Sequence, residues 1–357
     1  MPLTSAALPT LLLATAVVAR AAWVHELPPL PDPHGLAGMF AGGDDATLIA
    51  AGGHQFSNGI PWWDGGKKVW SDRIFFFTDA TGEWHTAPSR LPRPLGDGAS
   101  LWYRDELHCA GGGDSESAFA DVFAIGLDNG KIRFRALCPL PAPKLRAACA
   151  LLDEHFVVLG GRDHPTSSVA SNEVWALDLR KPERWVRLPD IPGPGRMMSV
   201  TAVVGEALYL FGGIEVYASE RADGKNRAPY LQDAYRFSFR TKKWTKLPDI
   251  PRPLAGSPSP AAVVNRRIYI VGGVDGTIEA VADRSSITEL PRDILSFDVE
   301  TSKWHQAGSL SGTPSRVNAP AISTSDRYLI VGGEHLPARR TNLVSLIKFV
   351  GADPATR

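Results

Sequence analysis

A carboxylate and a guanidinium stand at the two ends of one short loop near the end of the sequence. Glu334 directly follows a glycine pair, and Arg340 comes six residues later, just before a predicted strand. A carboxylate held beside a guanidinium can act as a general base with an anion anchor next to it. The same pair can also be an ordinary salt bridge within the loop, and loop geometry alone favours that simpler interpretation.

Three arginines, Arg146, Arg196 and Arg316, stand where predicted first strands begin. If their side chains point into a common opening, they favour a ligand that carries a carboxylate. The alternative is a set of hydrogen bonds from these arginines to backbone carbonyls of neighbouring sheets. His54 and His335 lie just after glycine pairs and join the arginines as candidate substrate-binding residues.

Weaker candidates also lie just after glycine pairs: Asp114, Asp163, Glu215 and Asp275. A polar residue in a turn needs no functional reason, so their positions alone carry little weight. Three long loops, at residues 54–71, 214–232 and 274–292, are better functional candidates because long loops are more often functional than structural. The first contains Trp62, Trp63 and Trp70, whose rings either stack on sugars or pack the loop against the sheet.

The sequence does not favour metal, cofactor or nucleic-acid binding. Its histidines lack the spacing of metal ligands, and it has no phosphate-binding loop or nucleophile elbow. Lys plus Arg and Asp plus Glu both number 38, so no basic excess exists to neutralise phosphates. We therefore expect no metal, no cofactor and no nucleic-acid partner.

A repeated glycine pair predicts the elements that position these residues. Six apolar runs end in Gly-Gly, and their first glycines are 49 to 60 residues apart. A loop, an Asp or Asn and a second apolar run follow each pair, and five repeats then carry a bulky aromatic residue: Trp84, Phe134, Trp185, Trp244 and Trp304. This period is typical of four-stranded kelch blades. We predict an all-β fold, a six-bladed β-propeller of kelch repeats.

The sixth repeat lacks its aromatic strand, and a matching segment stands at the other end of the chain. Residues 23–33 begin with Trp23 and continue into a proline-rich turn, which is the form of a fourth strand. We expect this N-terminal strand to complete the C-terminal blade. Such closure removes a bare sheet edge that would otherwise invite aggregation.

The first 22 residues differ from the rest. Residues 6–19 are apolar and uncharged, and Ala19-Arg20-Ala21 offers the small residues of a cleavage site. The run is shorter than the roughly 20 residues that span a bilayer. We predict a signal peptide at 1–22, the propeller at 23–350 and a C-terminal tail at 351–357, in a periplasmic or secreted protein without a membrane span.

Three cysteines, Cys109, Cys138 and Cys149, do not form a disulfide framework, because their number is odd. Each lies in an apolar run, where a free cysteine behaves as a small buried hydrophobe. A bridge between Cys138 and Cys149 is the alternative.

Three segments, at residues 35–43, 61–72 and 332–342, together carry a family resemblance. They resemble the kelch-repeat N-acetylneuraminate epimerase (sialic acid mutarotase) family, and more closely its cyclically permuted mutarotase branch. The resemblance implies a six-bladed enzyme that interconverts the α and β anomers of N-acetylneuraminate without a cofactor. It implies catalytic roles for Glu334 and Arg340 and places Arg196, in a Pro-Gly-Arg context, at the substrate. The chain departs from the family at Leu95-Gly96-Asp97-Gly98, where many relatives carry an Ala-Tyr-Gly motif.

The leading interpretation is a sugar-acid mutarotase with Glu334 as base, Arg340 as charge stabiliser or carboxylate anchor, and water or His335 as acid. A binding module that uses the propeller face without chemistry is the second, since fold does not fix function. A mutarotase for another carbohydrate is the third. The enzyme requires Glu334 and Arg340 to face an open funnel, whereas a scaffold does not.

Overall fold

The computed structural model describes residues 22–60, 64–217, 228–324 and 327–349. These residues form six four-stranded antiparallel sheets, which confirms the predicted six-bladed β-propeller. The only helices among them are two short 3-10 turns, Thr277–Ala280 and Arg284–Ser286. Both turns lie in one of the long loops predicted from the sequence.

The first three blades follow one another along the chain, and each runs from the axis outward. Blade 1 consists of Phe40–Gly43, Thr47–Ala51, Arg73–Thr78 and Glu83–Arg90. Blade 2 consists of Ala99–Tyr103, Glu106–Ala110, Val122–Asp128 and Lys131–Ala136. Blade 3 consists of Ala148–Leu152, His155–Leu159, Val174–Asp178 and Trp185–Leu188.

The last three blades complete the circle. Blade 4 consists of Val200–Val204, Ala207–Phe211, Ala234–Ser238 and Lys243–Leu247. Blade 5 consists of Ala262–Val264, Arg267–Val271, Asp293–Asp298 and Lys303–Ser309. Blade 6 consists of Ala321–Ser323, Tyr328–Val331, Val344–Phe349 and, as its outer strand, Ala22–Leu27.

The N-terminal strand closes the propeller, as predicted. Ala22–Leu27 pairs antiparallel with Val344–Phe349, in a register that joins Ala22 to Phe349 and Leu27 to Val344. Val24 and Leu27 pack into the hydrophobic clusters on either side of blade 6. The outer edge of the last blade is therefore supplied by the other end of the chain.

The glycine pairs are required where one blade meets the next. Gly52 has a φ of +67°, and a Cβ placed on it would lie 2.4 Å from the carbonyl oxygen of Leu95 in the following blade connection. Gly53 donates its backbone N–H to that same oxygen at 2.9 Å. A side chain at Gly52 would therefore clash with the backbone of the next blade and also be strained.

The strand-four tryptophans join neighbouring blades. In three blades the indole N–H donates to a backbone carbonyl of the preceding blade, at 2.9–3.0 Å: Trp185 to Cys138, Trp244 to Pro189 and Trp304 to Pro248. Each of these indoles, buried in Trp185 and partly buried in Trp244 and Trp304, thus has a hydrogen-bond partner for its N–H while its ring packs between two sheets.

Short strand pairs in the loops stand above the blades. They are His54–Gln55 with Val69–Trp70, Arg196–Met197 with Ile214–Glu215, and Glu334–Leu336 with Arg339–Arg340.

All three cysteines are free, which excludes the Cys138–Cys149 bridge in this structure. In the part of the chain that the structure describes, no helix is long and apolar enough to cross a membrane. The predicted signal peptide, except its last residue, and the C-terminal tail lie outside the described residues.

Candidate active site

A closed ring of backbone hydrogen bonds forms the floor of the funnel on the axis. One residue from each blade connection adopts a left-handed conformation, with φ between 51° and 66°: Gly38, Asp97, Arg146, Met198, Gly256 and Asn318. Each donates its backbone N–H to the carbonyl oxygen of the ring residue before it, at 2.6–3.0 Å, and Gly38 closes the circle onto Asn318. The ring therefore brings four side chains from distant parts of the sequence to one place.

Asp97 is the hub of these side chains. Its Oδ1 accepts from Asn318 Nδ2 at 2.9 Å and lies 3.3 Å from His54 Nε2, while its Oδ2 accepts from Arg146 Nε at 3.2 Å. Burial raises the pKa of this carboxyl, but the charge of Arg146 and the contact with His54 outweigh it, and the pKa lies well below its usual range. Asp97 is thus a buried, ionised carboxylate compensated by its neighbours.

Glu334 and Arg340 meet across the short hairpin that connects them. Arg340 Nη1 is paired with Glu334 Oε2, and the other carboxylate oxygen accepts from the backbone N–H of Ala338 at 3.1 Å. The Glu334 side chain is 22% exposed, whereas that of Arg340 is 4% exposed. The Glu334 side chain is therefore the more exposed member of the pair, and the Arg340 guanidinium is the buried one.

His54 lies beneath this pair and does not reach the opening. The residue is 0% exposed, and its Nδ1 is 3.4 Å from Arg340 Nη2. Desolvation by burial lowers the pKa of His54 to about 3, even though Asp97 acts in the opposite direction. The predicted contact between His54 and a substrate is therefore not available in this structure.

His335 is half-buried, and burial lowers its pKa below the ordinary value. Its Nδ1 is buried without a hydrogen-bond partner among the described residues. It remains beside Glu334 on the hairpin and stays a candidate.

Lys68, on the long loop at residues 54–71, is a further group that the sequence alone did not single out. Its Nζ lies 5.2 Å from the ring of Trp70, which in turn packs edge-on against His54 at a centroid distance of 4.8 Å. Desolvation lowers the pKa of Lys68 to about 8, with Asp97 raising it and Arg146 and Arg340 lowering it further. Trp70 therefore packs this loop, while Trp62 and Trp63 lie outside the described residues.

The other side of the funnel is less polar. Met198 and Tyr230 belong to one hydrophobic cluster, and Met198 Sδ lies 3.9 Å from Arg146 Nη1. Desolvation raises the pKa of Tyr230 to about 12, so its hydroxyl stays protonated at neutral pH. Arg146, with 25% of its side chain exposed, stands between the charged and the apolar sides.

Arg196 and Arg316 lie within the wall rather than in the opening. Arg196 is 1% exposed and makes a bidentate pair with Asp233, at 2.5 and 2.7 Å. Arg316 is equally buried and donates to the carbonyl oxygens of Ile330 and Leu343 and to Ser345. The three arginines therefore do not converge on the opening. Arg146 alone of the three is partly exposed there, and Arg196 and Arg316 make the bonds within the protein that were the alternative.

Two cavities lie along the axis. The cavity of about 100 Å³ bounded by the ring residues is small beside the ~300–1,000 Å³ of typical small-molecule sites. The second cavity, about 310 Å³ at the opposite end, is lined by uncharged side chains as far as the described residues go. Among the described residues, no three His, Cys, Asp or Glu side chains are grouped as metal ligands would be.

The repeat pattern is shared with known proteins. The family described as "KLHDC2/KLHL20/DRC7 Kelch-repeats domain" matches residues 45–273, and the "Kelch motif" matches residues 255–311. The chain belongs to the kelch-repeat family. This membership covers the repeats that carry the funnel loops of blades 1 to 4 and the strands of blade 5.

Several relatives of this kelch protein are named N-acetylneuraminate epimerases, which confirms the resemblance seen in the sequence. The chain is 28% identical to the N-acetylneuraminate epimerase of Shigella boydii serotype 4 over 205 residues, 50% of this chain and 52% of that protein. It is 28% identical to N-acetylneuraminate epimerase 2 of Escherichia coli O6:H1 over 239 residues, 59% of this chain and 60% of that protein. The chain thus spans about half the length of the curated relatives it matches.

The sequence analysis did not identify Asp97 as a site residue, and it aligned Arg146 wrongly with Arg196 and Arg316. Each kelch-blade connection contains a three-residue pattern whose last member joins the ring, as in Lys144-Leu145-Arg146, Arg196-Met197-Met198 and Arg316-Val317-Asn318. Arg146 therefore occupies the third position, whereas Arg196 and Arg316 occupy the first. Aligning the six connections with one another gives this two-residue offset, and it also places Asp97 in the ring. Lys68 has no comparable signal in the sequence.

The weaker candidates after the glycine pairs mostly stabilise their own turns. Asp114 accepts from the backbone N–H groups of Glu116 and Ser117, and Asp275 accepts from that of Thr277. Glu215 pairs with Arg196 in a short backbone ladder, and Asp163 is exposed.

We expect Arg196→Met to act on stability and not on ligand contact. Removing one partner of a buried pair leaves Asp233 uncompensated and costs about 3–5 kcal/mol, measurable by urea unfolding. The matched control is Arg196→Met with Asp233→Leu, in which no unpaired charge remains and most of the loss is recovered. A variant of unchanged stability that no longer binds a sugar acid would instead support direct ligand contact.

Proposed function

We propose that the protein is a sugar-acid mutarotase that interconverts the α and β anomers of N-acetylneuraminate or a close relative. The observation that carries the proposal is an accessible carboxylate, Glu334, backed by a buried guanidinium at the mouth of a cationic funnel. The names of the similar epimerases support the same reaction class.

The charge of the funnel supports an anionic ligand. Arg146, Arg340 and Lys68 act electrostatically on one another, together with the carboxylates Asp97 and Glu334. The cations of this group therefore exceed its carboxylates by one when all five are charged. Such an excess in a concave site attracts and orients a carboxylate. Arg146 is the natural anchor because its side chain reaches the opening.

Mutarotation requires a base and an acid on opposite sides of one carbon–oxygen bond. Glu334 takes the proton of the anomeric hydroxyl, and the electron pair left on that oxygen forms the carbonyl. The bond from the anomeric carbon to the ring oxygen breaks, and that oxygen takes a proton from the acid. Rotation of the open chain and reversal of both transfers closes the ring on the other face. Positioned acid–base catalysis of this kind contributes typically ~10²–10⁴-fold.

Lys68 is the best candidate for the acid. An arginine donates a proton poorly at neutral pH, because its guanidinium stays protonated. Burial keeps His335 mostly neutral, so little of it holds a second proton at pH 7. Lys68, with a pKa lowered to about 8, is protonated at neutral pH and is a stronger acid than an ordinary lysine.

Export belongs to the same proposal. The apolar residues 6–19 and the small residues that follow them support a secretory signal and a periplasmic or secreted location. Microscopy or fractionation of the full chain with a C-terminal tag tests it, and retention in the cytoplasm would contradict it.

Glu334→Gln should abolish catalysed anomer exchange while the protein stays folded. Glutamine keeps the shape of the side chain and removes the base, so we expect a loss of ~10²-fold or more, followed by exchange NMR of N-acetylneuraminate. The control is Glu289→Gln, which removes an exposed carboxylate elsewhere. Full exchange in Glu334→Gln would remove this residue from the mechanism, and binding without exchange in the wild type would favour the non-catalytic module.

The exchange rate should fall as the pH rises through about 8. Above that pH Lys68 loses the proton that the ring oxygen must receive, since burial lowers its pKa to about 8. The rate after subtraction of uncatalysed exchange is the quantity to measure. Lys68→Met should lower the rate and remove this alkaline limb. Lys67→Met is the matched control because Lys67 is the exposed neighbour; an unaltered limb in Lys68→Met would exclude Lys68 as the acid.

A further inference from the structure

His54 lies between two charged partners that constrain where its proton is. Its Nε2 faces Asp97 Oδ1 at 3.3 Å, and its Nδ1 faces Arg340 Nη2 at 3.4 Å. A guanidinium can only donate hydrogen bonds, and an ionised carboxylate can only accept them. One tautomer of the neutral ring satisfies both contacts, with the proton on Nε2 and the lone pair on Nδ1. Asn318 Nδ2 also lies 3.4 Å from Nε2, but this amide donates to Asp97 Oδ1 at the shorter distance of 2.9 Å and so does not need the lone pair of the ring.

We propose that His54 is a positioning residue, fixed by Asp97 as the neutral Nε2–H tautomer, which orients Arg340 and through it the Glu334 carboxylate. The inference rests on the proposed function, because it assigns the support of the same base. This role requires no contact between His54 and the substrate, in agreement with the complete burial of the residue, which is 0% exposed.

The surroundings of His54 allow little movement of the ring. His54 pairs with Trp70 in the short loop strands, and the indole lies edge-on against the imidazole. A Cβ on Gly38 would lie 2.2 Å from Asp97 Oδ1 and 3.0 Å from His54 Nε2. The glycine at this ring position therefore leaves the space in which the histidine and the carboxylate meet.

Arg340 is held from three sides. His54 accepts from Nη2, Glu334 pairs with Nη1, and the ring of Phe56 lies 4.7 Å from the guanidinium carbon. Without an acceptor at His54, one end of this buried guanidinium would lose its partner and the group could rotate away from Glu334. A small displacement of a catalytic group costs up to about 10²-fold in rate.

The charge state of the ring supports the same assignment. The charged groups acting on it are Asp97, which raises its pKa, and Lys68 and Arg340, which lower it. Desolvation is the largest cause, and the pKa of His54 falls to about 3, so the ring is neutral throughout the physiological range.

The tautomer is tested directly on the wild-type protein by long-range ¹H–¹⁵N NMR of the histidine rings. We expect the Nε2–H pattern for His54, unchanged between about pH 5 and 8, where an ordinary histidine titrates. The signal is assigned among the nine histidines by its loss in His54→Gln. An Nδ1–H pattern, or titration in this range, would overturn the proposal. This result does not depend on whether the protein catalyses anomer exchange.

Kinetics of two substitutions separate positioning from a merely structural role. Glutamine can donate to Asp97 and accept from Arg340, so His54→Gln should keep kcat for N-acetylneuraminate within about threefold. Leucine can do neither, so His54→Leu should lower kcat ~10–100-fold with KM changed less than about threefold. Equal losses in folded His54→Gln and His54→Leu would contradict the proposal. If His54→Leu fails to fold, a loss of kcat in folded His54→Gln still contradicts the positioning role.

Wild-type protein without exchange activity would count against the proposed function, and the NMR result would then decide the assignment of the tautomer.

Discussion

The floor of the funnel depends on a ring of six backbone hydrogen bonds between residues that no single blade could bring together. Each ring residue takes a left-handed conformation, which for four of the six, Asp97, Arg146, Met198 and Asn318, is costly without the closed circle. The circle closes because the N-terminal strand completes blade 6 and holds the first and last blades together. Closure of the propeller by the N-terminal strand and formation of the funnel floor therefore depend on each other through backbone hydrogen bonds.

The position of a residue relative to the ring also decides where its side chain lies. At the third position of the connection pattern, Asp97 and Arg146 form a charge pair at the axis, in which Asp97 is buried and Arg146 is 25% exposed. Side chains two residues earlier turn between blades, where Arg196 and Arg316 are saturated by a carboxylate, carbonyls and a hydroxyl. An arginine is thus partly exposed at the third position of the pattern and buried in the propeller wall at the first.

Burying charge at the funnel floor is costly unless each group is compensated. Asp97 has contacts with Arg146, Asn318 and His54, so its ionised form is retained. Arg340 lies between His54 and Glu334 and leaves the carboxylate as the exposed member of the pair. The Glu334 side chain is thus the more accessible member of the pair, which is compatible with the general-base role proposed for it.

The propeller fold and part of the candidate site could be predicted from the sequence, each for its own physical reason. Glycine pairs such as Gly52-Gly53 mark each blade in the sequence because a Cβ at the first glycine would collide with the backbone of the next blade. The N-terminal strand that begins near Trp23 could be assigned to blade 6 because the sixth repeat lacks a fourth strand of its own. The Glu334–Arg340 hairpin is visible because both residues lie in one short loop. The role of Asp97 emerges only when the six blade connections are aligned, because the side chains that it contacts are 43 or more residues away in the sequence. The burial of His54 was hidden for the same reason. Lys68 has no distinguishing pattern in the sequence.

A crystal structure of the protein with N-acetylneuraminate would show whether the ring directs a sugar acid to the charged mouth of the funnel. We expect the sugar carboxylate within hydrogen-bonding distance of the Arg146 guanidinium and the anomeric hydroxyl against Glu334. Sugar bound in the apolar cavity at the opposite end of the axis, or with its carboxylate turned away from Arg146, would overturn this assignment of the binding site.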